Sequence, residues 1–154
     1  MIRRAAQENI VVCRDIIWDS ELFRTYFVTR QIVEDSLRSR FGAEELYLSL
    51  DEEGQPEGVL WFTWQGAFHS FPYLHILAVK ESSRSRGVGS RLLMFFEEQA
   101  FAKANQAFLV VAHTNPAKAL YERQGYEEVG AIPGLYRSED RVPDAQTPPG
   151  RPTR

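Results

Sequence analysis

The sequence predicts an α/β fold in which a mixed sheet carries helices on both faces. Three observations predict it. Leu74 to Val79 form an apolar run that passes through Arg84-Ser85-Arg86-Gly87-Val88-Gly89 into an amphipathic stretch from Ser90 to Ala104, a succession of strand, glycine loop and helix. Phe108 to Ala112 is continuously apolar, as expected of a strand buried on both faces. Between residues 45 and 64, two more apolar runs flank Asp51-Glu52-Glu53-Gly54-Gln55-Pro56, the pattern of a hairpin.

The elements follow in order. Ile2 to Ala5 reads as a short first strand. From Glu8 to Arg40 the spacing predicts two helices broken near Asp19-Ser20, either of which suits the cap of the second. Ile10, Cys13, Ile16 and Ile17 recur at helical intervals, as do Phe23, Phe27, Val28, Ile32 and, less regularly, Leu37. Gly42 ends this section. The hairpin strands are Glu45 to Leu50 and Gly58 to Trp64. Gln65 to Pro72 reads as a loop whose Phe68, His69 and Phe71 either cover the core or line a substrate mouth.

In the helix after the glycine loop, Gly89, Leu93, Phe96, Ala100 and Ala104 share a face with Leu92 beside them; Met94 and Phe101 widen it, and Phe95 falls on the far side. A helix this apolar suits contact with a further element or a second subunit, so a homodimer stays open. Asn115-Pro116 opens the next helix, Asn as N-cap and Pro at the first helical position, and Gly125 stops it. Tyr126 to Ile132 reads as a further strand and Pro133-Gly134 as a turn. Residues 1–137 form one domain on this reading, and 138–154 a polar, proline-rich, flexible tail.

The chain has 154 residues, enough for one domain with a real core. Its hydrophobic fraction of 44% and charged fraction of 25% are ordinary for a globular protein. A net charge of -3 argues against nucleic-acid binding through bulk charge, so Arg84, Arg86 and Arg91 point to a small anion. The one cysteine, Cys13, excludes an internal disulfide and suits a buried apolar role. No apolar run reaches membrane-spanning length and the first residues lack a signal peptide's apolar core, so a cytoplasmic protein without a membrane partner is expected. No His, Cys and Asp cluster has metal-ligand spacing, and no metal is expected.

A strand feeding a glycine turn at a helix start is an anion site by construction, because the first amides of a helix have no internal acceptor. Gly87 and Gly89 allow close backbone approach, and Arg84 and Arg86 add positive charge. The bland alternative is a relaxed turn between strand and helix. The pattern is neither a Walker A loop, lacking Gly-Lys-Ser/Thr, nor a G-x-G-x-x-G dinucleotide fingerprint. Downstream, Asn115 to Tyr126 is by itself a capped amphipathic helix, with Tyr121 as an ordinary core aromatic.

Together the two units resemble the GNAT superfamily of acyl-CoA-dependent N-acyltransferases. Arg84-Ser85-Arg86-Gly87-Val88-Gly89 after Leu77-Ala78-Val79 fits that family's Q/R-x-x-G-x-G/A motif, and Asn115…Ala119-Leu120-Tyr121-Glu122-Arg123…Gly125-Tyr126 fits its second block. The resemblance covers roughly residues 74 to 130. It implies the family's mixed sheet with a splayed strand pair and an N-acetyltransferase that uses acetyl-CoA on a primary amine, small molecule or peptide. It further implies that Leu77 and Val79 pair with pantetheine through their backbone. The amides of Arg86, Gly87, Val88, Gly89 and Ser90, with Arg84 and the intervening Ser85, would hold the pyrophosphate, and Asn115 would contact the pantetheine arm.

Acyl transfer needs a neutral amine, a stabilised oxyanion and a protonated leaving group. An amide near Ala78 or Val79 suits the oxyanion, and by resemblance Tyr121 is the acid. Tyr73, His75, Leu77 and Val79 alternate onto one side of their strand, which makes His75 the candidate base; His69 and His113 are weaker. A base acting through water, or a merely hydrogen-bonded His75, is equally consistent. An acyl-CoA-binding sensor without turnover is the alternative. Relatives add a final strand where this chain has Arg137 to Pro143, a poor strand, so the acceptor stays unread.

Overall fold

The computed structural model of the protein describes residues 1–133 and Leu135. They fall into two compact units, Met1–Val110 and one that begins at Val111. In the first, β1 (Ile2–Arg4), β2 (Glu45–Leu50), β3 (Pro56–Ala67), β4 (Phe71–Val79) and β5 (Phe108–Leu109) form one sheet in that order. The first four strands are antiparallel neighbours, and β5 runs parallel to β4. Helices α1 (Ile10–Trp18), α2 (Glu21–Phe27) and α3 (Arg30–Arg40) connect β1 to β2, and α4 (Val88–Phe101) lies between β4 and β5. The mixed sheet with flanking helices is the expected one. The second unit contains α5 (Ala117–Arg123).

The strand period of two sorts β2 and β3 between two apolar layers. Leu46, Leu48, Val59 and Trp61 join Ile76 of β4 in a core with Ile10, Cys13 and Ile17 of α1 and Val33 and Leu37 of α3. Cys13 is buried as expected, and burial pushes its thiol up to about 12. On the other face Phe62 meets Phe96 of α4 with centroids 5.1 Å apart. A Cβ on Gly58 would fall 2.8 Å from Leu92 Cδ1, so α4 packs directly on β3 there.

Four expectations need correction. The segment from Glu8 to Arg40 holds three helices. The break at Asp19-Ser20 stands, but Val28 at φ 71° ends α2, and Thr29 Oγ1 caps α3 by accepting from Ile32 N at 3.2 Å. Helical spacing runs unbroken across this joint, and periodicity carries no sign of one left-handed valine.

Secondly, Gln65 to Pro72 is mostly strand. The chain turns on Phe68 and His69, at φ 53° and 57°, with Ser70 N donating to Ala67 O at 3.0 Å. That is a two-residue hairpin turn built without glycine. Gly66 is spent on packing instead: its Cβ would lie 2.5 Å from Tyr73 Cβ and from Thr63 Cγ2.

Thirdly, β5 is confined to Phe108–Leu109, and Tyr126 to Ile132 forms no strand among the described residues. A strand exists by its ladder, and apolar residues without a pairing partner do not make one. Fourthly, α4 begins at Val88 and presents Val88, Leu92, Leu93, Phe96 and Ala100 inward. Met94 and Phe101 lie on the opposite side, 50% and 54% exposed. Phe95 is half-buried, 4.8 Å from the ring of Tyr47. The tail 138–154, Gly134 and any strand from Arg137 lie outside the described residues.

Candidate functional site

The centre of the first unit is an irregularity in β4. Its ladder with β3 pairs Leu60 with Leu77 and Trp61 with Ile76, then jumps to Phe62 with Leu74. His75 is therefore the surplus residue of a β-bulge. The bulge overturns the expected alternation, because cross-strand partners share a face. Leu77 and Val79 stand with Leu60 and Gly58 on the α4 side; Tyr73 stands with Thr63 on the side of Trp61. Pairing with β5 ends at the same place, covering only Tyr73–Phe108 and Leu74–Leu109. From His75 to Val79, β4 has a strand neighbour on the β3 side alone among the described residues. The β4–β5 ladder thus ends at the bulge.

His75 is half-buried among rings. Trp61 meets it edge-on with centroids 4.5 Å apart, and Tyr26 and Tyr73 lie at 6.2 Å. The Trp61 indole N–H donates to Glu44 Oε2, and Arg40 lies over the indole at 5.9 Å while pairing with Glu44 Oε1 at 3.5 Å. Burial, with help from the Arg40 charge, pushes the His75 pKa down to about 4. The imidazole is neutral at neutral pH and holds an accepted proton weakly.

This shift is also a statement about stability. The unfolded chain protonates His75 near its ordinary value, about 6.5, and the folded chain does not, so stability falls as pH drops through that value. By linkage this costs the folded state about 2 kcal/mol at pH 5. Urea unfolding at pH 8 and pH 5 should show that loss in the wild type and lack it in His75→Gln. Equal pH dependence in both proteins would refute the assignment.

β4 leads into the cradle. Lys80 N donates to Glu57 O at 2.9 Å, a short turn spans Glu81–Ser83, and Ser85 and Gly87 adopt φ 63° and 78°. The first bond of α4 runs from Arg91 N to Gly87 O at 3.0 Å, so the amides of Val88, Gly89 and Ser90 precede it and face outward along the axis. Arg84 and Arg86 are exposed, and Arg84 Nε donates to Val79 O at 3.3 Å. Exposed cations, a left-handed glycine and free helix amides fit a pyrophosphate.

One part of this loop escaped the sequence reading. Arg91 Nη1 donates to Arg86 O at 3.0 Å and its Nη2 pairs with Glu57 Oε1 at 3.4 Å. Glu57 is buried in β3 and accepts from Ser49 Oγ at 2.9 Å. A carboxylate next to Gly58-Val59-Leu60-Trp61-Phe62 was the available signal, since a buried acid needs a partner. Tyr26 and Trp61, whose rings meet His75, and Glu44, which accepts from Trp61, were also missed; only tertiary structure brings them together.

The second unit holds Asn115 and Tyr121. Asn115 Oδ1 accepts from Ala117 N at 2.9 Å, which realises the expected cap. Gly125, at φ 94°, ends the helix, with Tyr126 N donating to Tyr121 O at 3.0 Å. Tyr121 is 8% exposed, and burial pushes its phenol up to about 12. It is protonated at neutral pH. Lys118 bridges Glu122 and Glu128 at 3.9 and 3.2 Å.

Among the described residues no group of three or more His, Cys, Asp and Glu side chains could hold a metal ion, and no helix is long and apolar enough to cross a membrane.

The architecture recurs in solved structures. A histone acetyltransferase HPA2 and related acetyltransferase from Corynebacterium glutamicum superposes with a TM-score of 0.73 at 22% identity, over 86% of this chain and 87% of that one. A transcriptional regulator from Bacillus halodurans gives 0.69 at 17%, over 85% and 95%. The aminoglycoside antibiotic 6'-N-acetyltransferase AAC(6')-IG from Acinetobacter haemolyticus gives 0.67 at 14%, over 86% and 94%. These likenesses show the fold. No curated protein matches the sequence significantly. The family model described as Acetyltransferase (GNAT) family matches residues 12–126, and the chain belongs to that family.

Proposed function

We propose that the protein transfers the acetyl group of acetyl-CoA to a primary amine by direct attack within a ternary complex. The observation that carries this reading is the coincidence along β4 of the His75 bulge, the end of pairing with β5, and a loop that delivers the free amides of α4. The backbone of Leu77 and the amide of Val79 have no strand partner on the β5 side among the described residues and are available to the amide groups of pantetheine, while the Val79 carbonyl already accepts from Arg84. The amides of Arg86 to Ser90, with Arg84, hold the pyrophosphate, and Asn115 contacts the pantetheine arm.

The amine nitrogen must be neutral to bond to the thioester carbon. An amide at Ala78 or Val79 stabilises the oxyanion that forms. As the carbon–sulfur bond breaks, Tyr121 supplies the thiolate with a proton; its raised pKa keeps that proton in place beforehand. The proton shed by nitrogen passes through neutral His75 to water, and water returns one to the Tyr121 phenolate. No enzyme-bound acyl intermediate is needed, and Cys13 takes no part.

The test is thiol release from acetyl-CoA across a panel of amines, with acetyl-CoA binding followed by calorimetry. Binding together with amine-dependent release is the expected result. Tight binding without release on any amine would favour the second reading, an acyl-CoA-binding sensor. One observation supports that alternative: burial leaves His75 a weak base.

A further inference from the structure

The acceptor side of this site has a readable chemistry. At the bulge, His75 is enclosed by Trp61, Tyr26 and Tyr73 at 4.5, 6.2 and 6.2 Å. Trp61 is buried and forms the floor, while Tyr26 is 44% exposed and Tyr73 half-buried, so both tyrosines remain within reach of a ligand. Burial, with the Tyr26 charge adding to it, raises the phenol of Tyr73, which keeps Tyr73 a neutral partner at working pH.

The charges beside the rings are already matched. Glu44 Oε2 accepts the Trp61 indole N–H, and its Oε1 pairs with Arg40 at 3.5 Å. Arg40 also acts on His75 as a nearby positive charge. A polyamine or aminosugar carries several cations that need carboxylates to receive them, and among the described residues this cluster has no uncommitted one to give. A lone amine that must be neutral to react is compatible with it. Its remaining body would stack on tyrosine faces, as flat apolar groups do.

We propose that the acceptor is a primary amine carried on a flat apolar body, an aromatic ring above all, which Tyr26 and Tyr73 receive beside His75. This rests on the acetyltransferase reading above. Exposed Tyr26 then determines which amine is used, and it plays no part in binding acetyl-CoA.

Thiol release is measured with phenethylamine and tryptamine, and with spermidine, kanamycin and a lysine-bearing peptide, alongside calorimetric binding of acetyl-CoA. The expected kcat/KM for the two arylalkylamines is at least about tenfold above that of the others, since one well-filled apolar subsite is worth roughly that factor. Tyr26→Ala should raise KM for phenethylamine about tenfold with kcat and the KM of acetyl-CoA little changed, and Tyr26→Phe, which keeps the ring, should preserve the low KM. Spermidine, kanamycin or the peptide matching or exceeding the arylalkylamines would overturn the proposal and leave the acetyltransferase reading intact. So would a Tyr26→Ala protein with unaltered KM. Acetyl-CoA bound with no release on any amine would instead overturn the acetyltransferase reading, and this proposal with it.

Discussion

Tyr121→Phe should lower kcat by about a hundredfold or more, the usual worth of a positioned general acid, with acetyl-CoA affinity little changed. The hydroxyl is the only group removed, and a departing thiolate feels its loss late in the reaction, after binding is complete. Burial strengthens the expectation. A phenol pushed up to about 12 is protonated throughout the neutral and mildly alkaline range, so on the proposed mechanism the wild type should show no loss of acid function on the alkaline side below about that value. Steady-state kinetics with calorimetry checks this, and a thermal melt confirms that the variant is folded. Unaltered turnover would remove Tyr121 from the acid role.

Gly87→Val should weaken acetyl-CoA binding about tenfold or more. Within the protein a Cβ at Gly87 meets only Arg91 Nη1 at 3.4 Å, so beyond any obstruction of the ligand's approach the cost is conformational. Gly87 sits at φ 78°, where an L-residue costs roughly 1–2 kcal/mol and a β-branched one more. Relieving that strain turns the amides after it away from the ligand, and each 1.4 kcal/mol lost is about a factor of ten in Kd. Gly87→Asn tests the explanation, because asparagine enters the left-handed region at least cost. It should bind acetyl-CoA more tightly than the valine variant. A folded Gly87→Val protein with undiminished affinity would count against the pyrophosphate cradle.

Much of this was legible in the sequence, for a physical reason. Strand, glycine loop and capped helix are local devices: Gly87 needs its φ, Asn115 its cap and Gly125 its left-handed stop whatever surrounds them. The sheet and the break at Asp19-Ser20 followed from periodicity. What escaped depends on partners distant in sequence. The bulge at His75 is visible only in the register between β4 and β3, and it moved Leu77 and Tyr73 to opposite faces. The ring of Tyr26 joins His75 through the packing of α2. Phe68 and His69 form a turn that residue preferences assign to glycine or asparagine. The weak basicity of His75 comes from burial and Arg40, neither of which lies near it in the chain.

The bond pair made by Arg91 bears on how fast this site can act. Its guanidinium ties the carbonyl of Arg86 to Glu57, a carboxylate held in the sheet. The turn carrying Gly87 is thereby held in shape by the protein alone, and on the proposed reading a pyrophosphate need not order it. Affinity that would otherwise go into arranging the loop is kept as binding energy. Glu57 also offsets the charge of Arg91, which leaves Arg84 and Arg86 as the exposed arginines of the loop without a carboxylate partner among the described residues. Division of labour follows: one arginine is structural and sets geometry, while two remain to draw the ligand in and are the ones whose effect added salt should screen.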